Sequence, residues 1–135
     1  MRALTVDPTS SESLRLDELP DPEPGPGELL VDGVAVGVCG TDREIADGAY
    51  GWPPPGKGRL ILGHESLGRV VSAPDGSDVA PGDLRHYRLA ADALAAADPT
   101  WLDRLITRRL PLTKYADAFT HDPDDVKVVI SLDEP

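Results

Sequence analysis

The sequence predicts a mainly β fold with a few short helices, and three observations point there. Fourteen prolines and thirteen glycines in 135 residues interrupt the chain too often for long helices. Between them lie short apolar runs, several with the alternation of half-buried strands. Aromatic residues are only 4% of the chain, so Val, Leu and Ala must supply most of the buried area. The length fits one domain over residues 1–135, large enough for its own core.

Arg2 to Val6 reads as a first strand, ended by Asp7-Pro8. Leu14-Arg15-Leu16 alternates and pairs with it across the polar Thr9-to-Ser13 turn. Residues 20–27, with four prolines and two glycines, form a rigid extended arm. Glu28 to Val38 is the longest strand candidate, with Gly33 permitting a bulge. Thr41 resembles the N-cap of a short helix through Ala46, closed by Gly48. Gly51 to Gly58, with three prolines, must be a loop. The short apolar run Arg59 to Leu62 leads to Gly63-His64-Glu65, a further strand spans Leu67 to Ala73, and Pro74-Asp75-Gly76-Ser77 is a turn.

The last third changes character. Leu89 to Ala97 is alanine-rich and helical by propensity. Asp98-Pro99 opens a second helix that sets Trp101, Leu102, Leu105 and Ile106 on one face. Leu112 to Phe119 offers a third, with Thr113 as cap and Tyr115, Ala116 and Phe119 inward. Val126 to Leu132 is a closing strand.

The net charge of −11 disfavours nucleic acid and anionic membranes, both of which are recognised through basic patches. A single cysteine excludes an intrachain disulfide. There is no leader pattern at Met1 and no apolar run of ~18 residues, so the expected location is cytoplasmic. No strand is followed by a G-x-G-x-x-G run: Gly56-Lys57-Gly58 lacks the third glycine and a helical pattern after it. Cofactor-binding residues for a dinucleotide are therefore not expected, nor is a Rossmann domain.

Chemistry concentrates in two short runs, Val38-Cys39-Gly40-Thr41-Asp42 and Gly63-His64-Glu65. They hold the only cysteine and one of three histidines. Each residue has an ordinary reading, since a lone cysteine is commonly a small buried apolar residue. Together, a sulfur and an imidazole on separate loops are half of a tetrahedral zinc site. The spacing is not that of a zinc finger and suits an open, catalytic metal better than a closed structural one. Glu65 can bind the metal directly or sit behind it. Asp42 can accept the second ring N–H of His64 and fix its tautomer. Thr41 can pass a proton between a metal-bound alcohol and solvent.

These residues carry a family resemblance. The run Pro22 to Val31, then Gly37-Val38-Cys39-Gly40-Thr41-Asp42, then Leu62-Gly63-His64-Glu65 through Val71, then Pro81-Gly82-Asp83 resembles, in order and spacing, the catalytic domain of zinc-dependent medium-chain dehydrogenases. Within that superfamily the chain is most similar to archaeal-type glucose 1-dehydrogenases, through Thr41-Asp42, Gly63-His64-Glu65 and the run Trp101 to Phe119. The resemblance implies a GroES-like barrel. It covers two pieces, residues 1–84 and 85–135, with the family's nucleotide-binding domain missing between them, where Asp83-Leu84 runs straight into Arg85-His86-Tyr87.

That resemblance implies metal ligation by Cys39, His64 and Glu65 and catalytic roles for Thr41, Asp42 and Glu65. It implies zinc as cofactor, held weakly or not at all by the shortened chain. NAD(P) and a sugar or alcohol substrate are implied for the full-length family. The function implied is oxidation of an aldose hydroxyl by hydride transfer, with this chain inactive alone. The alternative is a non-catalytic GroES-like module that folds, self-associates through exposed apolar surface, or binds metal weakly.

Overall fold

The structure, a computed structural model, describes residues 1–82, 92 and 94–132. Among the described residues, seven strands and three short helices can be given bounds in a mainly β architecture. The strands are β1 (Arg2–Val6), β2 (Arg15–Glu18), β3 (Leu30–Val38), β4 (Leu60–Ile61), β5 (Glu65–Ser72), β6 (Arg108–Pro111) and β7 (Val128–Ser131). The helices are α1 (Gly40–Ala46), α2 (Pro99–Leu102) and α3 (Tyr115–Phe119), the last preceded by a 3-10 turn at Leu112–Lys114.

Two sheets result. The first has the order β2-β1-β4. β1 runs antiparallel to both neighbours, with Leu4 opposite Leu16 and Thr5 opposite Ile61. The predicted hairpin forms because the Thr9-to-Ser13 turn is held by its own polar groups: Thr9 N–H and Oγ1–H both donate to Asp7 Oδ1, at 3.0 and 2.6 Å. That pair of bonds lowers the Asp7 carboxyl pKa below its ordinary value.

The second sheet has the order β5-β3-β7-β6. β3 is antiparallel to β5 and β7, and β6 is parallel to β7. Its register shifts between Gly33 and Ala35, as the glycine predicted. A side chain there would collide with Leu132, since a Cβ on Gly33 would lie 2.7 Å from Leu132 Cδ1. Through β7, the end of the chain is built into the middle of the sheet that the N-terminal half began.

The core lies between the sheets and under α3. Leu4, Val38, Leu112, Ala118, Val128 and Ile130 form one buried cluster. Ile130 and Ala118 are fully buried, so strand β7 and helix α3 supply its centre.

Several expectations are corrected. The α1 N-cap is Cys39, not Thr41, and Asp42 reaches back as its Oδ2 accepts the Cys39 N–H at 2.9 Å. Asp98 does cap α2, its Oδ1 accepting from Thr100 N–H at 2.9 Å. That helix is a single turn ending at Leu102, which leaves Leu105 and Ile106 beyond it and Trp101 exposed. In the third helix the start is a 3-10 turn whose N-cap is Pro111 rather than Thr113, and Ala118 turns inward while Ala116 is exposed. Strand β6 was not expected. Of the predicted Leu89–Ala97 helix, Asp92, Leu94 and Ala95 are helical. The rest, except Ala96 and Ala97, and the Leu84-Arg85 junction lie outside the described residues.

Two arginines tie these elements together. Arg59, ahead of β4, donates from Nε to Thr5 Oγ1 at 2.8 Å and from Nη2 to the carbonyls of Thr5 and Ser13. Thr5 in turn donates to Asp17 on β2 at 2.6 Å, so the buried hydroxyl both donates and accepts. Arg108 on β6 donates to Asp125 through both Nε and Nη2, and to the carbonyls of Asp117 and Thr120 at the end of α3. A guanidinium fork suits this shared geometry.

Candidate metal centre

Strand β3 ends at Val38 and α1 begins at Gly40, so Cys39 sits at the corner where the chain turns from one to the other. Strand β5 begins at Glu65, so His64 and Glu65 arrive at its first residues, beside the same corner. The pairing of Gly37 with Glu65 brings the two runs together.

The result is compact. Cys39 Sγ lies 3.3 Å from His64 Nε2. Cys39, His64 and Glu65 each offer a ligand atom, and the three atoms lie within 4.8 Å of one another. Zinc bonds of about 2.3 Å to sulfur and about 2.0 Å to nitrogen at a tetrahedral angle place the two donors about 3.5 Å apart. The observed separation fits that edge. The donor set, one sulfur, one imidazole and one carboxylate, also fits zinc chemically.

The environment supports the same use. His64 presents Nε2 to the sulfur and Nδ1 to Asp42, whose Oδ1 is 3.3 Å away. The Asp42 side chain is only 2% exposed, and its Oδ1 has no hydrogen bond of its own. An acceptor buried in that way is costly unless it serves a partner. Orienting the imbalanced ring of a ligating histidine is the service a nearby carboxylate gives. His64 and Glu65 are exposed, so the centre is open to a water or substrate.

Two glycines make the approach possible. Gly63 has a φ of +122°, a conformation that a side chain would strain, and it turns the chain so that His64 meets Cys39. Gly37 leaves a space that the Glu65 carboxylate occupies, because a Cβ built there would clash with Glu65 Oε2.

The structure thus brings together four of the five predicted residues: Cys39, His64, Glu65 and Asp42. Thr41 is exposed on the first turn of α1. Sequence reasoning missed Lys127, whose Nζ lies 2.7 Å from Glu65 Oε2. Nothing in the chain near Lys127 signals that contact, which is made only by the pairing of β7 beside β3. An open groove of about 630 Å³ runs between the sheets, with Leu30, Ile61, Leu62 and Leu132 among its walls. It passes Gly63 and Ser66 but not the three candidate ligands.

Among known families, the alcohol dehydrogenase GroES-like domain matches residues 25–88 and the glucose dehydrogenase C-terminus matches residues 79–132. Glucose 1-dehydrogenase of Thermoproteus tenax is 55% identical over 85 residues, which are 62% of this chain and 24% of that protein. Glucose 1-dehydrogenase 1 of Haloterrigena turkmenica is 48% identical over 82 residues, 61% of this chain and 22% of that one. Among solved structures, Haloferax mediterranei glucose dehydrogenase in complex with NADP, Zn and gluconolactone is similar with a TM-score of 0.55 at 41% identity. That match covers 62% of this chain and 23% of the other. The alcohol dehydrogenase of Thermus sp. ATN1 is similar with a TM-score of 0.51 at 30% identity, over 62% of this chain and 23% of that one. The chain therefore spans about a quarter of the length of the curated relatives it matches, 24% for the first of them.

Proposed function

Because this chain belongs to the zinc-dependent medium-chain dehydrogenases of the alcohol dehydrogenase superfamily, we propose that it is a shortened catalytic domain of a glucose or polyol dehydrogenase. Residues 1–84 and 85–135 make up one GroES-like domain in this reading. It keeps the metal centre of an NAD(P)-linked enzyme that oxidises an aldose hydroxyl, and it does not turn over alone. The observation that carries it is the approach of Cys39 Sγ to His64 Nε2 at 3.3 Å with Glu65 in the same cluster.

Cys39, His64 and Glu65 would hold the zinc, which supplies Lewis acidity to an alcohol oxygen. Asp42 holds the His64 ring with Nε2 toward the centre. Thr41, exposed two residues past Cys39, takes the hydroxyl proton toward solvent. The sequence carries no G-x-G-x-x-G run, so this reading assigns no hydride step to the chain. With three protein ligands at a surface site, zinc binding is weaker than in a complete centre.

The substrate class, the expected cytoplasmic location and the lack of nucleic-acid or membrane partners belong to the same proposal. In support, the charge is −11, and no described helix is long and apolar enough to cross a membrane. The open groove with apolar walls favours self-association with a second copy, to be read as a concentration-dependent mass in sedimentation.

The test has two arms. Titration calorimetry of zinc into the protein and into Cys39→Ala should show binding to the first only; equal affinities dismiss the centre. Glucose and NADP with the chain alone should give no turnover, and measurable turnover overturns the claim of inactivity. Zinc binding lost with Cys39 but no activity under any cofactor also leaves room for the second reading, a non-catalytic barrel module that binds metal weakly. The two separate on whether adding a nucleotide-binding domain in trans restores turnover.

A further inference from the structure

Resting on the zinc reading above, we propose that Lys127 is a resident counter-cation that occupies Glu65 and is displaced when a divalent metal binds. Its Nζ stands 2.7 Å from Glu65 Oε2, and neither side chain is deeply buried, at 31% and 39% exposed.

The sheet builds this contact. Glu65 on β5 pairs with Gly37 on β3, and Gly37 pairs with Val129 on β7. Cross-strand partners share a face, and residues two apart on one strand share it too. Glu65, Gly37, Val129 and Lys127 therefore lie on one face. Gly37 has no side chain between the two charges, and a Cβ there would clash with Glu65 Oε2. The Lys127 backbone is fixed from the other side, since its carbonyl accepts the N–H of Thr107 at 3.0 Å.

An ammonium in that position satisfies Glu65 and competes with a dication for its carboxylate. Binding the metal then requires the ion pair to break and Lys127 to swing to solvent. Lys127 so tunes affinity without ligating, and it acts as a positioning residue.

Zinc alone is titrated calorimetrically into the protein, Lys127→Met, Glu65→Gln and the double variant, with circular dichroism confirming the fold of each. An exposed ion pair of ordinary strength predicts that Lys127→Met binds zinc about two- to fivefold tighter. Glu65→Gln should bind more weakly, and adding Lys127→Met to it should change nothing further. Lys127→Gln serves as a second variant and should also tighten binding. Equal or weaker binding by both folded Lys127 variants overturns the proposal, as does a Lys127→Met gain that persists without the Glu65 carboxylate. If the parent protein itself binds no zinc, the zinc reading fails and this inference falls with it. Cysteine-dependent binding with no effect of Lys127 removes this inference alone.

Discussion

The Arg108–Asp125 pair and the Cys39–His64 centre are both clusters of polar side chains joining distant parts of the chain, yet they differ in one respect. Around Arg108, the donors named above each have a carboxylate or carbonyl acceptor. Around Cys39, Asp42 Oδ1 stands 3.3 Å from His64 Nδ1, while sulfur and imidazole nitrogen face each other across 3.3 Å beside the Glu65 carboxylate. A cluster whose donors and acceptors are matched one to another is a fastening, whereas one whose ligand atoms converge on a shared point suits a bound ion. The difference separates stability from chemistry without reference to any relative.

The contrast breaks most sharply with Arg108→Ala. It takes the guanidinium from Asp125, whose side chain is 8% exposed and keeps, among the described residues, only the Thr107 hydroxyl as side-chain donor, and it removes the donor from two carbonyls at the end of α3. The melting temperature should fall more than for any site variant, while zinc affinity of the folded protein stays unchanged. A loss of zinc affinity equal to that of Cys39→Ala would erase the distinction.

Asp42→Asn should do the reverse. Removing the carboxylate that orients a ligating histidine lowers metal affinity by about 10- to 100-fold. The Asn oxygen can still accept the Cys39 N–H, so stability should change by less than about 2 kcal/mol. Calorimetry and urea unfolding on the same preparation read both.

Gly37→Ala sharpens the comparison inside the centre. Its new Cβ needs the space of the Glu65 carboxylate, the end of a flexible side chain that is 39% exposed and can swing aside, so stability should fall by less than about 1 kcal/mol. Zinc affinity should drop by less than in Asp42→Asn, because Cys39 and His64 are untouched.

The smallest effect is on acid stability. The Asp125 carboxyl pKa is depressed chiefly by its hydrogen bond from Arg108, and that of Asp17 by its bond from Thr5. A carboxylate with a lowered folded pKa contributes stability that is present above its ordinary value of 3.8 and is lost as pH falls through the folded one. Asp125→Asn should therefore flatten the decline in unfolding free energy below about pH 4. An unchanged slope would argue against the pair.

Much of this molecule was legible in its sequence. Local signals found the β1–β2 hairpin, the bulge at Gly33 and the placing of Cys39 at a strand end, because turn chemistry and alternation act over a few residues. Cys39, His64 and Glu65 were singled out by residue type and resemblance, and the fold sets their ligand atoms within 4.8 Å of one another. What stayed hidden depends on distant partners. Strand β6 reads Arg-Arg-Leu-Pro and looks unlike a strand; it exists because β7 offers a parallel edge. Arg59 and Arg108 are ordinary surface cations until the fold delivers their carbonyl acceptors. Ala118 rather than Ala116 faces inward because the helix is entered through a 3-10 turn, which shifts its phase.

Strand β7 also sets a timetable. Ala35 can find Ser131, and Val38 can find Val128, only after all the chain between them is available to close a very long loop. Such remote pairing is slow relative to local turns. During synthesis the edge of β3 stays bare until the final strand arrives, and the ammonium that meets Glu65 arrives with it.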